Sequence, residues 1–403
     1  MNIRFLAPLD IESASEIALL FRVLARGSQN YPTAADVRKK CDMLWGATVY
    51  PISSPLGEMQ NIGFTATFIN DRFAPDGESV FDGICGILKD LIFNPKLSGG
   101  LLDSEYVNSE RENLICELKN EEDKAELCRF KMESKMFEGE KFNVCSDGDA
   151  EVAKKIDAKS LTEFYKNFIF SSPVEICLVA DIDGEHAENA VKSIFDIDSR
   201  GIKRKERDFA VADVVRKSPR PFTETGEKCD IVQSRVCVGF RSGCVLGDPD
   251  FEAFDLMCEL LGRSPTNRLY TNLREIRGLC YSCALSSEVY KGLVRIECGC
   301  DSSNVKAASD GIFEQISAVA DGRFGDDELE DARASLVSAY KSIGDDPSSV
   351  ISWYYRHMLA GSGQSSDEAI AEINAVSRED IMLAAARLDP DTLFVLGTED
   401  MPL

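Results

Sequence analysis

Histidine is, with tryptophan, the scarcest residue in this sequence. Only two of the 403 residues are histidines, His186 and His357, and they lie in different halves of the sequence. Neither has a second histidine nearby, although imidazole pairs on one helix are common ligands of catalytic zinc in proteins. These two histidines therefore do not form a local zinc-binding motif.

The sequence also lacks long apolar runs and an excess of basic charge. No apolar run is long enough to span a bilayer, and the first residues, MNIRFLAPLDIES, do not have the basic and then apolar profile of a signal peptide. The net charge of −24 disfavours nucleic acids and anionic membranes as partners, because their phosphates would be repelled. We therefore expect a cytoplasmic protein without a nucleic-acid or membrane partner.

Cysteine, by contrast, is abundant, with 14 residues spread over the chain. Without an export signal, these cysteines are expected to be free thiols. Four of them form a C-x-x-C and a C-x-C pattern, a spacing that also occurs in metal and redox sites: Cys280, Cys283, Cys298 and Cys300. Because positions i and i+3 of a strand face opposite sides, we predict that Cys280 and Cys283 point apart and hold no metal.

The order of predicted elements occurs twice along the chain. LTEFYKNFIFSSPVEICLVADID in the first half corresponds to REDIMLAAARLDPDTLFVLGTED in the second. The segment between the halves is basic and contains prolines, which is typical of an exposed linker. We therefore predict an α+β protein with an N-terminal domain at 1–197, a linker at 198–223 and a homologous C-terminal domain at 224–403, each domain a sheet backed by helices.

One stretch of the second half, NRLYTNLREIRGLCY at residues 267–281, contains two candidate binding residues. It predicts a helix that ends at Gly278 and a strand that follows. This change of direction can bring Arg274 and Tyr281 to one rim, where their donors suit a carbonyl or carboxylate oxygen. The alternative is an arginine in a surface ion pair and a tyrosine packed on a sheet.

The phrase LREIRGLCYS resembles the C-terminal half of the insulinase/pitrilysin peptidases. In that family a similar phrase carries an arginine and a tyrosine that hold the substrate near a zinc ion. The resemblance covers nearly the whole chain and implies two α/β-roll halves that face each other as a clamshell around a chamber. It also implies that Arg274 and Tyr281 bind substrate.

The H-x-x-E-H zinc motif of the family is degenerate in this chain. Aligning ARGSQNYP with the family's turn puts Ala18, Phe21 and Arg22 at the motif positions, and none of them can bind zinc or act as a base. Two carboxylates persist, Glu110 and Glu117, of which Glu117 matches the third-ligand position. Either they pair with Arg22 or they form a solvated helix face, and the resemblance implies no catalytic zinc in this chain.

Two further phrases, LLFRVLARGSQNYP and CDMLWGATV, resemble an inactive subgroup of the family that is associated with the 5-aminopentanol modification of elongation factor P. The resemblance implies a non-catalytic subunit of a heterodimeric zinc metallopeptidase. Its partner would be a sister protein that carries H-x-x-E-H and zinc, and its substrate a peptide. The alternatives are a peptide-binding or scaffold protein in elongation factor P modification, and an active peptidase with an unrecognised metal site. When isolated, the chain could also form a homodimer.

Overall fold

The structure, a computed structural model, describes residues 1–120, 122–195 and 206–398. These residues form a mixed helix and sheet fold that divides into two compact units. The predicted boundary between the N-terminal domain and the linker lies outside the described residues, as do linker residues 198–205. In the part of the chain that is described, every helix is too short or too polar to cross a membrane.

The secondary structure follows the predicted order, with additional helices near the end of each half. In chain order the strands are β1 (Asn2–Pro8), β2 (Thr48–Leu56), β3 (Met59–Thr67), β4 (Leu97–Ser98), β5 (Leu101–Leu102), β6 (Val174–Cys177), β7 (Thr223–Lys228), β8 (Ser234–Arg241), β9 (Ser282–Glu288), β10 (Leu293–Cys300) and β11 (Asp389–Gly397). The helices are α1 (Ala14–Ala25), α2 (Ala34–Met43), α3 (Val80–Phe93), α4 (Ser104–Leu118), α5 (Lys124–Met136), α6 (Ala150–Ala153), α7 (Ala158–Ser171), α8 (Gly184–Phe195), α9 (Phe251–Cys258), α10 (Val305–Ala320), α11 (Asp326–Lys341), α12 (Pro347–Leu359), α13 (Ser366–Ala375) and α14 (Arg378–Ala386).

Unit one consists of residues 1–120, 144–195 and 206–210. Its four-stranded sheet has the order β2-β3-β1-β6, and all of its pairs are antiparallel. Helices α1, α3 and α7 bury apolar faces in one core with strands β1 and β3. Helix α1 packs at the centre of this core, which fixes the direction of each of its side chains.

Unit two consists of residues 122–143 and 211–398. Its five-stranded sheet has the order β9-β10-β8-β11-β7. Four of these strands repeat the order of unit one, with β9, β10, β8 and β11 in the places of β2, β3, β1 and β6. The matching order agrees with the predicted duplication of one α/β unit, and β7 adds an edge strand that pairs in parallel with β11.

Helix α5 belongs to unit two, although in the sequence it lies within the predicted N-terminal domain. It contacts β8 and β11, and its apolar side chains share a core cluster with that sheet. The cluster contains Cys128, Met132, Met136, Phe137, Cys237, Leu293, Phe394 and Leu396. The periodicity of α5 indicates a helix, but it does not indicate which of two homologous sheets the helix covers.

A buried ionic cluster fixes the segment that follows α5. The side chains of Arg241 and Lys291 are fully buried. Arg241 Nη2 and Lys291 Nζ each lie 2.7 Å from a carboxylate oxygen of Glu140, and Arg241 Nε donates to Asp391 at 3.2 Å. Burial disfavours the Glu140 carboxylate, but hydrogen bonds from the two cations outweigh this effect and lower the pKa of Glu140.

Residues 211–222 of the predicted linker are held against unit two. Arg216 donates to both carboxylate oxygens of Asp248, at 2.6 and 3.0 Å. The Ser218 hydroxyl donates to Asp391 at 2.9 Å. These contacts explain why residues 211–222 group with unit two although their composition is typical of an exposed linker.

Candidate functional site

Two of the three degenerate motif positions on α1 lie in the core of unit one. Ala18 and Phe21 are buried, with about 1% of each exposed. The ring centroid of Phe21 lies 5.2 Å from that of Phe5 and 5.7 Å from that of Phe64. The position that the resemblance assigns to the catalytic glutamate is therefore filled by an aromatic ring in an apolar core.

The third position, Arg22, binds the carboxylate that matches the third zinc ligand. Arg22 Nη1 and Nη2 donate to the two oxygens of Glu117 at 3.0 and 2.7 Å. These hydrogen bonds raise the pKa of Arg22 and lower that of Glu117. Glu110 pairs with Arg26 at 2.8 Å. Both carboxylates thus form ion pairs, which was one of the two alternatives from the sequence. The partner of Glu110, however, is Arg26 and not Arg22.

This set of residues does not fit a zinc ion. Positions 18 and 21 offer hydrocarbon only, and position 22 places a guanidinium on the Glu117 carboxylate. A fixed cation at a ligand position repels a second cation. The structure therefore gives a physical reason for the loss of catalysis that the degenerate motif indicates.

The two histidines do not compensate for the lost motif. His186 lies in unit one with its Nε2 3.2 Å from Asp82, whereas His357 lies in unit two beside the ring of Trp353. Burial lowers the pKa of His357 to about 4, so this imidazole is neutral near pH 7. The two histidines therefore lie in different units, and each contacts a residue of its own unit.

The ion pair between Arg22 and Glu117 is expected to contribute little to stability. Glu117 is largely exposed, and exposed pairs contribute about 0.2–1 kcal/mol. A double-mutant cycle with Arg22→Gln and Glu117→Gln, measured by urea unfolding at pH 7, should give a coupling in that range. Because the pKa of Glu117 is lowered in the folded state, the coupling should disappear as the pH falls through that pKa. A coupling above about 2 kcal/mol would contradict the exposed geometry.

A group of acidic side chains near the start of α9 is neutralised by arginines. The ligand atoms of Cys244, Asp248 and Asp250 lie within 4.8 Å of one another. However, Arg216 binds Asp248 and Arg387 binds Asp250. These ion pairs satisfy the carboxylates, so their arrangement does not indicate a metal site.

The predicted helix that carries Arg274 is a π-helix, Tyr270–Ile276. Its wider turns appear as i to i+5 hydrogen bonds, such as Arg277 N to Asn272 O at 3.2 Å. Gly278 ends the helix with φ of +59°, a conformation that glycine adopts without strain. Short π-helices occur frequently at functional sites.

Arg274 and Tyr281 both have solvent-exposed side chains in unit two. The Arg274 guanidinium stacks over the Tyr270 ring at 4.7 Å, and its Nη1 donates to the Tyr270 hydroxyl at 2.6 Å. The Tyr281 hydroxyl donates to the Asp301 carboxylate, with 3.1 Å to each oxygen. This hydrogen bond raises the pKa of Tyr281, so the phenol is a donor at neutral pH.

Neither partner of these two residues was predicted from the sequence. Tyr270 precedes Arg274 by four positions, a spacing that indicates contact on a regular helix. Asp301 follows the end of β10, and only the pairing of β9 with β10 brings it to Tyr281. The alternative interpretation required Tyr281 to pack on the sheet. The Tyr281 side chain is instead about half exposed.

Cys280 and Cys283 are both buried, whereas Tyr281 and Ser282 between them are exposed. Cys280 precedes β9 and is not part of it, so the strand rule does not fix its direction. The opposite directions of the Cys280 and Cys283 side chains stay a prediction. All 14 cysteines are free thiols, as predicted.

Comparisons with known proteins agree with this geometry. Residues 155–336 match the family model described as the peptidase M16 inactive domain. The probable inactive metalloprotease YmfF of Bacillus subtilis is 26% identical over 98% of this chain and 92% of its own length. A conserved protein from Enterococcus faecalis has a similar structure, with a TM-score of 0.90 and 23% identity over 99% of this chain and 94% of that one. The peptidase M16 inactive domain from Pseudomonas fluorescens has a TM-score of 0.78 and 14% identity, over 99% and 93% of the two chains.

The family model covers the middle of the chain, and the similarity to the B. subtilis protein extends over nearly all of it, which agrees with the resemblance of the sequence to the insulinase/pitrilysin peptidases. The chain is an inactive M16 peptidase-like protein, similar to the probable inactive metalloprotease of B. subtilis. The loss of the catalytic motif on α1 is consistent with both comparisons.

Proposed function

We propose that this protein is the non-catalytic subunit of a heterodimeric zinc metallopeptidase and acts in the cytosol. It contributes Arg274 and Tyr281 to peptide binding at the site of its partner. The observation that carries the proposal is a contrast between the two units. In unit one the catalytic position is filled by the buried ring of Phe21, whereas in unit two Arg274 and Tyr281 are exposed.

The chemistry of the two exposed residues suits an extended peptide. The Arg274 guanidinium has five N–H donors, and the Tyr270 hydroxyl accepts from Nη1. The Tyr281 phenol is neutral, and a peptide carbonyl would compete with Asp301 for its proton. Such donors stabilise an oxyanion that develops on a carbonyl during peptide hydrolysis.

The zinc ion and the general base belong to the partner in this proposal. Residues 18, 21 and 22 of this chain do not fit zinc, so the metal and its activated water require a sister protein that retains H-x-x-E-H. The substrate is an unfolded peptide segment, because peptide binding at a sheet edge requires an extended backbone.

The alternative function is a peptide-binding or scaffold role in elongation factor P modification, without proteolysis. The ion pair of Arg22 with Glu117 supports this alternative. A cation bound to the carboxylate at the third-ligand position is compatible with a purely structural role of unit one. This alternative predicts that partner binding does not depend on Arg274 or Tyr281.

The test is the peptidase activity of a mixture with the H-x-x-E-H sister protein from the same organism. Tyr281→Phe and Arg274→Gln are each expected to lower kcat/KM about 10- to 100-fold, because a hydrogen bond to a charged transition state contributes about 1.5–3 kcal/mol. Tyr354→Phe is a matched control, since Tyr354 is as exposed as Tyr281, and Arg323→Gln is the control for the arginine. Both controls should leave the rate unchanged.

Three outcomes separate the hypotheses. A mixture that binds but shows no difference between Tyr281→Phe and Tyr354→Phe would contradict the peptide-binding role and favour the scaffold. Failure of the two proteins to associate would contradict the heterodimer. Stoichiometric zinc together with peptidase activity in the purified chain alone would contradict both and indicate an active enzyme.

A further inference from the structure

The outer strand of the sheet in unit one, β2, contains two prolines. Among the residues that the structure describes, β2 pairs with β3 alone and therefore lies at the edge of its sheet. Its sequence, TVYPISSPL, places Pro51 and Pro55 four positions apart, and both are exposed. Proline has no backbone N–H, so the direction of these two nitrogens decides which hydrogen bonds the strand can make.

Hydrogen bonds on the other side of β3 fix this direction. Ala66 N donates to Met1 O, and Leu9 N donates to Glu58 O, each at 2.8 Å. In an antiparallel pair only alternate residues point their N–H and C=O groups at a given neighbour, so the even-numbered residues of β3 bond to β1. The odd-numbered residues of β3 therefore bond to β2.

The pairing register transfers this alternation to β2. Its even-numbered residues lie opposite the odd-numbered residues of β3, as Tyr50 does opposite Thr65. The odd-numbered residues of β2 thus direct their backbone groups away from β3, to the free edge. They are Val49, Pro51, Ser53 and Pro55. Each of them has a carbonyl at this edge, but only Val49 and Ser53 have an N–H.

An extended chain that paired with this edge would lack donors for two of its carbonyls. In an antiparallel pair the residue opposite Pro51 or Pro55 would direct its carbonyl at a proline nitrogen, which cannot donate. Proline on an edge strand is one way in which proteins prevent such pairing. The strand β9 takes the place of β2 in unit two and contains no proline. The two prolines are therefore a feature of unit one and not of the repeated fold.

We propose that Pro51 and Pro55 close the β2 edge of unit one to strand pairing with an extended chain, whether an unfolded peptide or a second copy of this protein. The closure itself does not depend on the proposed function. Its consequence for the substrate rests on that function, because a peptide held by Arg274 and Tyr281 then receives no backbone pairing from β2. This chain contacts the peptide through exposed side chains of unit two instead.

The test restores the two missing donors in the full chain. In the double variant Pro51→Val/Pro55→Val both positions regain an N–H, and valine is a residue that suits a strand. Ser53→Val is the matched control, because it adds the same side chain to an exposed position between the prolines without adding a donor. Thermal unfolding checks that both variants fold.

Self-association, measured by sedimentation equilibrium, provides the first result. The double variant is expected to associate about tenfold more tightly than the parent, or more, because it gains hydrogen bonds between strands. Ser53→Val should associate like the parent. In the double variant, amide hydrogen exchange at Val49 and Ser53 should slow as the protein concentration rises, which locates the new contact at the β2 edge.

Amide hydrogen exchange of the parent chain tests the peptide. The zinc-depleted mixture with the H-x-x-E-H sister protein is saturated with unfolded, carboxymethylated lactalbumin. The amides of Val49 and Ser53 should exchange as fast as they do in the mixture without it. Slower exchange at these two amides would overturn the proposal, as would a double variant that associates no more tightly than Ser53→Val. Equal activity of Tyr281→Phe and the parent would contradict the proposed function alone and leave the closed edge in place.

Discussion

Replacing Phe21 with glutamate, the residue type that the resemblance implies for this position, is expected to lower the free energy of unfolding of unit one by about 3–5 kcal/mol. Phe21 is buried and its ring packs against Phe5, Phe64 and Phe168. The substitution removes this packing and places a carboxylate in an apolar core without a partner. Urea unfolding of the full chain, followed by tryptophan fluorescence and circular dichroism, measures the change.

Phe73→Glu is the matched control for this substitution. Phe73 is also in unit one, but about two-thirds of its surface is exposed, so its replacement should change the free energy of unfolding by less than about 0.5 kcal/mol. Equal stability of Phe21→Glu and the parent protein would show that α1 retains space for a catalytic carboxylate. That result would contradict the interpretation of this position as a core residue.

The second large effect is expected at Glu140. Glu140→Gln should destabilise unit two by about 3–5 kcal/mol, because it leaves the buried cations Arg241 and Lys291 without their shared carboxylate. Glu138→Gln is the control two residues away. The Glu138 side chain is largely exposed and pairs with Arg220 at 3.3 Å, so its loss should cost less than about 1 kcal/mol.

The pH dependence of the Glu140 effect has a definite sign. Because the pKa of Glu140 is lowered in the folded protein, its contribution is complete above the pKa of the unfolded state, about 4.3. It is lost as the pH falls through the folded pKa. The difference in unfolding free energy between Glu140→Gln and the parent should therefore shrink on acidification. A difference that is absent at pH 7 would show that the two cations do not need this carboxylate.

Much of the fold could be predicted from the sequence because its periodicity is strong. Helices Ala14–Ala25 and Val80–Phe93 are examples, since their apolar faces and their ends are clear in the sequence. The duplicated order of elements also appears in the matching strand orders of the two sheets. The arrangement of the two halves as a clamshell stays a prediction.

The errors arise where contacts distant in sequence decide the structure. The partner of Glu110 depends on how α1 is rotated against α4, which placed Arg26 and not Arg22 beside it. The apolar spacing around Arg274 fits an α-helix and a π-helix equally well. It therefore does not predict the wider turns of the π-helix.

The placement of α5 with unit two determines how this protein can be divided by genetic means. A gene cut within the predicted linker would produce a C-terminal fragment from residue 224 that lacks residues 122–143. Such a fragment would expose the apolar face around Cys237 and Phe394. It would also leave Arg241 and Lys291 without the carboxylate of Glu140. The two sequence halves are therefore not independent folding modules, and a split version of this protein would have to carry α5 with the C-terminal fragment.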